Sequence, residues 1–532
     1  MENNLYNINY NRVLPIFQLD YKIDCNEFIS ENDISITLHK IIERIDVSKY
    51  IDLSVKYKTY DPITLFEVIL LSYVNNPNCS LREMAYNCRK NIDFIFLLGG
   101  KTPSHQTFKR FINESLKGNI KNIFYEINNL IKQDLNLNTD NLYIDGTKME
   151  ANANKRTFVW MKATKKNREK CWKSTIEEII KLNKYFNEES INKKYSTLKT
   201  INSKYLYYDI MSFLKKLMYE KKVELVYGKG RRKHQLQKFY EKFNEYSIRM
   251  FKYQIHEDIA DGRNSFSKTD PDATFMHMKY DYYNHTNVFK PGYNIQMGIS
   301  DEFIRHIYIS EDVNDIKTYI PFMEEYYHIY GKYPKRTPAD AGYGSYDNYS
   351  YCKEHNIELY MKFNSYEKEK KKITDKNRFK NYNMVEKDGK LYCPAGFKFE
   401  EVKRYINKKG IYPKENILYT NNHCQSCSLK SQCTTSKYNR RTLYVTPEYN
   451  KQKKEVQRNL STEDGINYMK NRSSQAEGVF GIIKEDYDYN RLHRRGKAGV
   501  ETEIFLVGIA FNIRKYHQKT VLDKEKSDKP RS

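Results

Sequence analysis

Three short segments, far apart in the chain, each carry one acidic residue in a setting that suits metal-dependent chemistry. Asp145 in NLYIDGTKMEANANK and Asp340 in KRTPADAGYGS each follow a short segment with the pattern of a strand, and Glu477 in NRSSQAEGVFGIIKEDY is predicted to begin a helix. Two carboxylates on strands and one on a helix can converge on a pair of Mg²⁺ ions, which prefer oxygen ligands. A site of this kind cuts and joins phosphodiesters.

The residues beside the two aspartates are small. Gly146 follows Asp145, and Ala339 and Ala341 flank Asp340. Small neighbours let a phosphate and a metal ion approach the carboxylates closely. Taken singly, an aspartate at the end of a strand is more often structural, so the prediction rests on the three acids as a set.

Basic residues accompany the acids. Lys484 lies two turns after Glu477, so both side chains are expected to point to one face of the helix, and Lys484 is expected to bind a DNA phosphate. Arg472, upstream of Glu477, and Lys148, just after Asp145, are expected to do the same. The alternative is that the Glu–Lys pair only decorates a solvated helix face.

The charge of the whole chain agrees with a polyanionic partner. Its 532 residues contain 91 Lys and Arg against 67 Asp and Glu, a formal net charge of +24. An excess of this size favours DNA or RNA, although solubility alone would also explain it. Asn, Lys, Ile and Tyr have AT-rich codons, so part of the basicity follows from genome composition.

The first part of the chain, residues 14–135, has apolar residues at helical spacing in ITLHKIIERI and TLFEVILLSYV. Further on, two helical stretches flank a GGKTPS turn. Ser80 is a predicted N-cap of the first, Thr102 or Ser104 of the second, and Pro103 suits the first helical turn.

This pair of helices resembles a helix-turn-helix. Its second helix would present His105, Lys109 and Arg110 to DNA. An ordinary helical hairpin with a solvated basic face is an equally good interpretation, because helical hairpins are common.

Strand patterns follow. YNIQMGIS and FIRHIYIS, separated by the dipeptide DE, predict a hairpin. KRTPADAGYG and IELYMKFN, with the helical YDNYSYCKEHN between them, predict a strand–helix–strand unit with parallel strands. Residues 162–262 are charged and have apolar positions three and four apart, which predicts an antiparallel helical arm. The KGRRKH run within it suits either phosphate contact or, more often, a solvated turn.

Four cysteines lie close together near residue 400. Cys424 and Cys427 have the CxxC spacing that lets two thiolates bind one tetrahedral ion, and Cys393 and Cys433 flank them. The stretch is polar and has little core, so a structural Zn²⁺ would supply its folding energy. The alternative is four unlinked, reduced thiols.

No segment is long and apolar enough for a membrane span, and the N-terminus MENNLYNINYNR has no apolar signal core. We therefore expect a cytoplasmic, nucleoid-associated protein with no membrane partner. In that compartment the nine cysteines are thiols or metal ligands rather than disulfides.

The ordered set of motifs resembles the DDE transposases of bacterial insertion sequences, in particular the group with an InsH-type N-terminal helical domain and a Cys-containing insert. The matching segments are YIDGTKMEANANKRTFVW, RNSFSKTDPDATFM, KPGYNIQMGIS, ADAGYGS, CPAG with CxxC, RSSQAEGVFGIIKEDYDYNRLHRRGK and FLVGIAFNIRKYH. They extend over nearly the whole chain, from about Tyr10 to His517.

The resemblance implies an α/β fold: an RNase H-like catalytic core, with Asp145, Asp340 and Glu477 as its metal triad, an N-terminal all-α DNA-binding domain, a helical insert and a Cys-rich zinc insert. Mg²⁺ is the implied cofactor, Mn²⁺ can substitute for it, and structural Zn²⁺ is expected. The expected boundaries are 14–135 for the helical domain, 136–365 for the first part of the core with its arm at 162–262, 366–460 for the Cys-rich insert, 461–518 for the catalytic and C-terminal helices, and 519–532 for a disordered basic tail.

The chain departs from the family pattern at one place. Related transposases carry a Tyr-x2-Arg-x3-Glu-x6-Lys signature. Glu477 and Lys484 keep the x6 spacing, but Tyr468 and Arg472 are each spaced one residue wider than the signature. The resemblance therefore assigns roles to Glu477 and Lys484 more directly than to Tyr468 and Arg472.

The implied activity is metal-dependent cleavage of transposon-end DNA and transfer of the freed 3′ end into target DNA, by a homo-oligomer on paired terminal inverted repeats. Two alternatives remain: a catalytically silent, zinc-bearing DNA-binding regulator, and a structure-specific nuclease on the same fold. A regulator would bind without cutting, and a nuclease would cleave unrelated or branched DNA without joining strands.

Overall fold

A computed structural model describes residues 29–51, 59–197, 202–228, 230–278, 288–371 and 379–523. Residues 14–28 of the predicted helical domain, and residues 524–532 of the predicted tail, lie outside these ranges. The described chain consists of an N-terminal helical part, a central mixed sheet with helices on both faces, a helical arm and a small β-rich insert.

The N-terminal part is helical. Its described residues form the α-helices α1 (Ile34–Glu43), α2 (Pro62–Asn75), α3 (Leu81–Lys90), α4 (Ile92–Leu98), α5 (His105–Phe111) and α6 (Ile120–Leu135). The predicted cap Ser80 is confirmed, since its side chain and that of Glu83 form a reciprocal capping box at the start of α3. Ser104 caps α5 by accepting a hydrogen bond from Thr107 N. Pro103 therefore precedes the cap, and its predicted place in the first turn is wrong.

Strands β1 to β8 follow among the described residues up to position 363. They are β1 (Tyr143–Glu150), β2 (Phe158–Trp160), β3 (Ser265–Ser267), β4 (Thr274–His277), β5 (Phe289–Ser300), β6 (Phe303–Ser310), β7 (Ala339–Gly344) and β8 (Met361–Phe363). The main sheet has the order β4-β5-β1-β7-β8, and β6 also pairs with β5. β5 pairs antiparallel with both β1 and β6, whereas β7 and β8 run parallel to β1.

The predicted hairpin is confirmed as β5 and β6. Its turn residues Asp301 and Glu302 both have positive φ (47° and 71°), the backbone twist that favours two-residue hairpin turns. The predicted strand–helix–strand unit is also confirmed, because β7 and β8 pair in parallel.

The arm between β2 and β3 is helical. It contains α7 (Met161–Glu188), α8 (Ser203–Tyr205), α9 (Ser212–Glu220) and α10 (Gln235–Ala260). Leu182 and Phe186 on α7 pack with Phe239 and Phe243 on α10 in a hydrophobic cluster of the arm's own. The two ends of the arm meet where β2 pairs antiparallel with β3.

The main sheet is covered on both faces. On one face, Ile144 and Ala339 pack with the helices α11 (Tyr319–Tyr330) and α12 (Tyr346–Glu354). The other face, with Met149 and Met297, belongs to a larger core that includes the N-terminal helices. The N-terminal part and the sheet therefore share one hydrophobic core.

The Cys-rich insert follows α13 (Tyr366–Lys370) and consists of β9 (Val385–Lys387), β10 (Lys390–Tyr392), β11 (Glu400–Asn407), β12 (Lys414–Asn421), α14 (Lys430–Cys433) and β13 (Arg441–Val445). The next helix, α15 (Pro447–Ser461), buries Val456 and Leu460 in the core beneath the sheet. The insert is thus shorter than predicted, because 447–460 belongs to the core.

The last helices close the structure. α16 (Glu463–Arg472) continues through a π-helical turn, Ser473–Glu477, into α17 (Gly478–Gly481) and a second π-helical turn, Ile482–Asp486. α18 (Lys497–His517) is buried along most of its length, and a π-helical turn extends it to Leu522. The predicted disordered tail is therefore wrong for residues 519–522, where Lys519 pairs with Glu302 at 3.1 Å. No helix among the described residues is long and apolar enough to cross a membrane.

Candidate active site

The two predicted aspartates lie on neighbouring strands. β1 and β7 pair in parallel at Ile144 and Ala339, the residues that directly precede Asp145 and Asp340. Because Ile144 and Ala339 are both buried against the helices of one face, Asp145 and Asp340 project from the other. Two carboxylates are therefore brought side by side at the centre of the sheet.

The backbone after each aspartate turns back to its carboxylate. Gly146 N donates to Asp145 Oδ1 at 2.9 Å, and Gly342 N donates to Asp340 Oδ1 at 2.7 Å. Gly146 has a second role, because a Cβ at this position would overlap the side-chain amide of Gln296 on β5. A small residue is needed here for close packing under the site, in addition to the access for phosphate that the sequence suggests.

Glu477 reaches the same site through Arg472. The guanidinium donates to Glu477 Oε1 at 2.6 Å, and its other terminal nitrogen lies 3.7 Å from Asp145 Oδ2. Ser473 Oγ donates to Glu477 Oε2 at 2.8 Å. The side chain of Arg472 is only 11% exposed, whereas that of Glu477 is 54% exposed. Arg472 thus bridges the strand-borne and helix-borne carboxylates.

The wider spacing between Arg472 and Glu477 has a structural explanation. Residues Ser473–Glu477 form a π-helical turn, in which positions five apart come together rather than positions four apart. The extra residue is absorbed by this turn, so Arg472 still contacts Glu477. The prediction that Glu477 begins a helix is wrong, since helix precedes it from Glu463.

The acids influence one another electrostatically. Burial raises the pKa of Asp145 to about 6; Arg472 opposes this shift, and the charges of Asp340 and Glu477 add to it. Burial also raises the pKa of Asp340, with Asp315 and Glu477 contributing in the same direction. Close carboxylates that repel one another favour a positive partner, either a basic side chain or a cation.

Asp315 is a fourth acid at the site, and the sequence did not single it out. Its Oδ1 accepts hydrogen bonds from Asn294 (2.7 Å) and from Gln296 (3.1 Å), both on β5. Gln296 also accepts a hydrogen bond from the hydroxyl of buried Tyr343 on β7. Asp315 sits in a polar EDVND stretch after β6, and only the fold reveals that this stretch returns to Asp340.

Lys484 and Lys148 are neighbours. Lys484 Nζ donates to the carbonyl oxygen of Lys148 at 3.2 Å, so Lys484 lies beside the strand that carries Asp145. Tyr468 is directed elsewhere: its ring centroid lies 5.0 Å from that of Tyr360, and the guanidinium of Arg336 lies over it at 5.3 Å. Of the two residues at unusual spacing, Arg472 contacts the acids and Tyr468 packs beneath the helix.

The predicted recognition helix is the short α5. Phe108 and Phe111 are buried in the common core, whereas Lys109 and Arg110 are exposed. His105, in its first turn, is partly exposed and lies 3.2 Å from the Gln106 amide. The helix therefore presents a basic face at the surface, separate from the acidic site.

The four predicted cysteines converge. Cys393, Cys424, Cys427 and Cys433 line one small pocket of the insert. Burial raises the pKa of Cys424, and the thiols of Cys427 and Cys393 raise it further. All four are free thiols, and Cys79, Cys88, Cys171 and Cys352 are free and lie elsewhere in the structure.

Neither the carboxylates nor the four cysteines have the geometry of a preformed metal site. Within the described ranges, no group of three or more His, Cys, Asp or Glu side chains is arranged so that it could hold a metal ion. The donor chemistry nevertheless suits two different ions, since the carboxylates are hard oxygen donors and the thiols are soft sulfur donors.

Two family models match the chain. A Transposase domain (DUF772) model matches residues 23–114, which include α5, and a Transposase DDE domain model matches residues 392–517, which include Glu477. Asp145 and Asp340 lie between the two matches. No curated protein and no solved structure matches the chain significantly.

Proposed function

We propose that this chain, which its two domain matches indicate to be an insertion-sequence DDE transposase, cleaves transposon-end DNA and joins the freed end to target DNA at Asp145, Asp340 and Glu477. The observation that carries the proposal is the Arg472 bridge between Asp145 and Glu477, beside the paired strands of Asp145 and Asp340. Residues more than 300 positions apart meet at one site.

The topology supports an RNase H-like core. Three antiparallel neighbours, β6, β5 and β1, are followed by β7 and β8 in parallel, with α11 and α12 in the connections. The two aspartates stand on the central parallel pair, and the third acid comes from a helix that packs on the face from which they project. This arrangement suits a carboxylate centre open to a DNA backbone.

Asp145, Asp340 and Glu477 would hold divalent ions, Mg²⁺ by preference and Mn²⁺ as a substitute, because their oxygens are hard donors. Bound in pairs, such ions activate an attacking water and stabilise the leaving 3′ oxygen. In their absence Arg472 neutralises part of the carboxylate charge. Once the acids have another positive partner, its guanidinium is available to a phosphate next to the scissile bond.

Lys484 and Lys148 are suited to positioning the DNA. Lys484 contacts the backbone of β1 at Lys148, so its positive charge lies beside the strand that carries Asp145. Lys148 follows Asp145 by three residues on β1, and strand alternation directs its side chain to the other face, where it would contact a different part of the DNA. His105, Lys109 and Arg110 on α5 supply a second contact region, consistent with DNA binding by a helix-turn-helix. The proposed partners are the terminal inverted repeats and target DNA, bound by a homo-oligomer.

Cys393, Cys424, Cys427 and Cys433 would hold a structural Zn²⁺. The support is their convergence on one pocket, from the loops at Cys393 and at residues 424–427 and from the end of α14. Strand β11 is largely exposed, so this insert has little core of its own. Metal binding would therefore contribute much of its stability.

The test is a cleavage and strand-transfer assay on the inverted repeats that flank the gene, with and without Mg²⁺ or Mn²⁺. Asp145→Asn, Asp340→Asn and Glu477→Gln should each abolish cleavage while end binding persists. Near wild-type nicking by these variants would refute the assignment. Binding without cutting by the wild type would favour a regulator, and cutting of unrelated DNA without joining would favour a nuclease.

A further inference from the structure

The segment between the second π-helical turn and α18 is basic and unusually well anchored. It is the sequence RLHRRGK, residues 491–497, with Arg491 and Arg495 exposed at the surface. Its backbone pairs with the end of β1: Leu492 N donates to Glu150 O at 2.9 Å, and Glu150 N donates to Asn490 O at 3.4 Å. We call residues 491–497 the basic loop.

Buried carboxylates hold the backbone of the basic loop from below. Glu503 is 1% exposed and accepts hydrogen bonds from the N–H groups of His493 and Arg494, both at 2.8 Å. Asp270, also 1% exposed, accepts from Gly496 N at 3.1 Å, and Asp272 accepts from Lys497 N at 2.8 Å. Hydrogen bonds to charged acceptors are strong, so the loop is fixed in shape before any ligand binds.

The exposed side chains of Arg491 and Arg495 leave a local excess of positive charge. Arg491 Nε lies 3.5 Å from Glu150 Oε1, and the same carboxylate also pairs with Lys155 and Lys290. Three cations thus share one acid. Arg495 Nε donates to the neutral carbonyl of Asn152, at 2.7 Å, and no ion pair to Arg495 is formed by an acid of the described residues.

The basic loop also connects the two contact regions proposed for DNA. Arg494 donates to Asn113 Oδ1 at 2.9 Å, three residues beyond the exposed Arg110 of α5. On its other side the loop pairs with β1 at Glu150, five residues from Asp145. At about 3.3 Å per residue this is roughly 17 Å, or about five nucleotides of duplex. The loop therefore lies between the recognition helix and the acidic site.

We infer that the basic loop is a preorganised clamp for DNA phosphates, through Arg491 and Arg495, about five nucleotides from the scissile bond. The inference rests on the proposed function, since it takes transposon-end DNA as the ligand. Because the loop is already ordered by Glu503, Asp270 and Asp272, little conformational entropy is lost on binding. The alternative is a brace that only joins the N-terminal helices to the core.

The experiment measures binding of the full-length protein to a transposon-end duplex and to an unrelated duplex as a function of salt. Arg491→Gln/Arg495→Gln should weaken binding to both about tenfold or more and reduce the salt slope by about two. Arg491→Lys/Arg495→Lys should retain most of the slope, because lysine keeps the charge. Thermal unfolding should be unchanged in both variants.

The matched control is Lys451→Gln/Lys454→Gln, two exposed cations on α15, beneath the other face of the sheet. It makes the same change of charge and should leave affinity and slope as in the wild type. Ethylation of phosphates about five nucleotides from the cleavage point should weaken binding by the wild type. It should not weaken binding by the glutamine variant below that variant's affinity for unmodified DNA.

The outcomes separate the two proposals. If the wild type binds and cleaves the end while the glutamine variant keeps its affinity and salt slope, the clamp is refuted and the transposase proposal stands. If the glutamine variant loses DNA affinity only to the extent that its unfolding temperature falls, the loop is a structural brace, and the clamp is again refuted. A wild type that binds neither duplex overturns both proposals.

Discussion

Arg472 donates a 2.6 Å hydrogen bond to Glu477 across a π-helical turn, and it does so while lying 3.7 Å from Asp145. One guanidinium thus neutralises acids from a strand and from a helix. It is also 11% exposed, so its charge is poorly screened by solvent. Its removal would leave neighbouring carboxylates without their basic partner.

Arg472→Gln should therefore destabilise the metal-free protein by about 1–2 kcal/mol, because a partly buried ion pair is broken. Divalent ions should then restore more stability to the variant than to the wild type, since they supply the missing positive charge. Thermal unfolding with and without Mg²⁺ or Mn²⁺ measures both effects. Arg458→Gln, at an exposed site on α15, is the control; an equal response of wild type and Arg472→Gln to the ions would contradict the prediction.

Asp315 should tune the affinity of the site for divalent ions. It lies close to Asp340, and its Oδ1 is held by Asn294 and Gln296. Asp315→Asn keeps an oxygen that can accept these bonds but removes a negative charge. Cleavage should then require about tenfold more Mg²⁺, with end binding unchanged. An unaltered metal titration would show that Asp315 is only structural, and Asp312→Asn in the same loop is the matched control.

Gly146→Ala should disturb the hydrogen bonds of Gln296 with Asp315, because it adds a methyl group where there is no space for it. The added methyl group would overlap the Gln296 amide, which is fully buried. We expect a loss of about 1–3 kcal/mol in the free energy of unfolding, as is usual for overpacking. Chemical denaturation measures it. Gly478→Ala, where no atom lies within 4 Å of the new Cβ, is the control and should not destabilise.

Local patterns were sufficient for the elements that carry Asp145 and Asp340. Apolar runs ending in small residues predict β1 and β7, and alternating apolar and polar residues on both sides of Asp301 and Glu302 predict the hairpin. Such signals depend only on residues that are neighbours in sequence. The pairing of Ile144 with Ala339 depends on contacts almost 200 residues apart. No local pattern contains it, and here the family resemblance led to the expectation.

The parts that sequence missed depend on tertiary contacts. Whether Ser473–Glu477 forms an α- or a π-helical turn is decided by packing on both sides, and only the wider spacing of Arg472 hinted at it. Asp315 and Glu503 have ordinary polar neighbours in sequence. Their roles appear only where the fold brings them to Asp340 and to the basic loop.

Purified protein should contain about one equivalent of zinc if the four thiols bind it in a tetrahedral site. Cys424→Ser/Cys427→Ser should lose the metal and expose the insert to proteolysis, while the core stays resistant, because the core has its own hydrophobic clusters. Metal analysis and limited proteolysis measure this. Cys79→Ser, at a partly exposed thiol outside the pocket, should keep the zinc; well under one equivalent in the wild type would count against the site.

His306 should make the protein less stable in mild acid. The side chain is fully buried, and burial lowers its pKa to about 3, with Lys121 adding to the shift. Glu325 lies 4.0 Å from His306 Nε2 but pairs with Lys121 at 2.6 Å, so it does not keep a proton on the ring. The hydroxyl of Tyr125 lies 2.6 Å from Nδ1.

Because the unfolded chain binds a proton at His306 below about pH 6.5 and the folded chain does not, stability falls as the pH falls through this value. Between about pH 7.5 and about pH 5 the loss should be about 2 kcal/mol. His306→Asn keeps a polar partner for Tyr125 and should show a shallower pH dependence, even if it is less stable at neutral pH. His328→Asn, exposed on α11, the helix whose Phe322 packs against His306, should keep the wild-type slope in urea unfolding at each pH. Equal slopes for all three proteins would show that His306 is not the source.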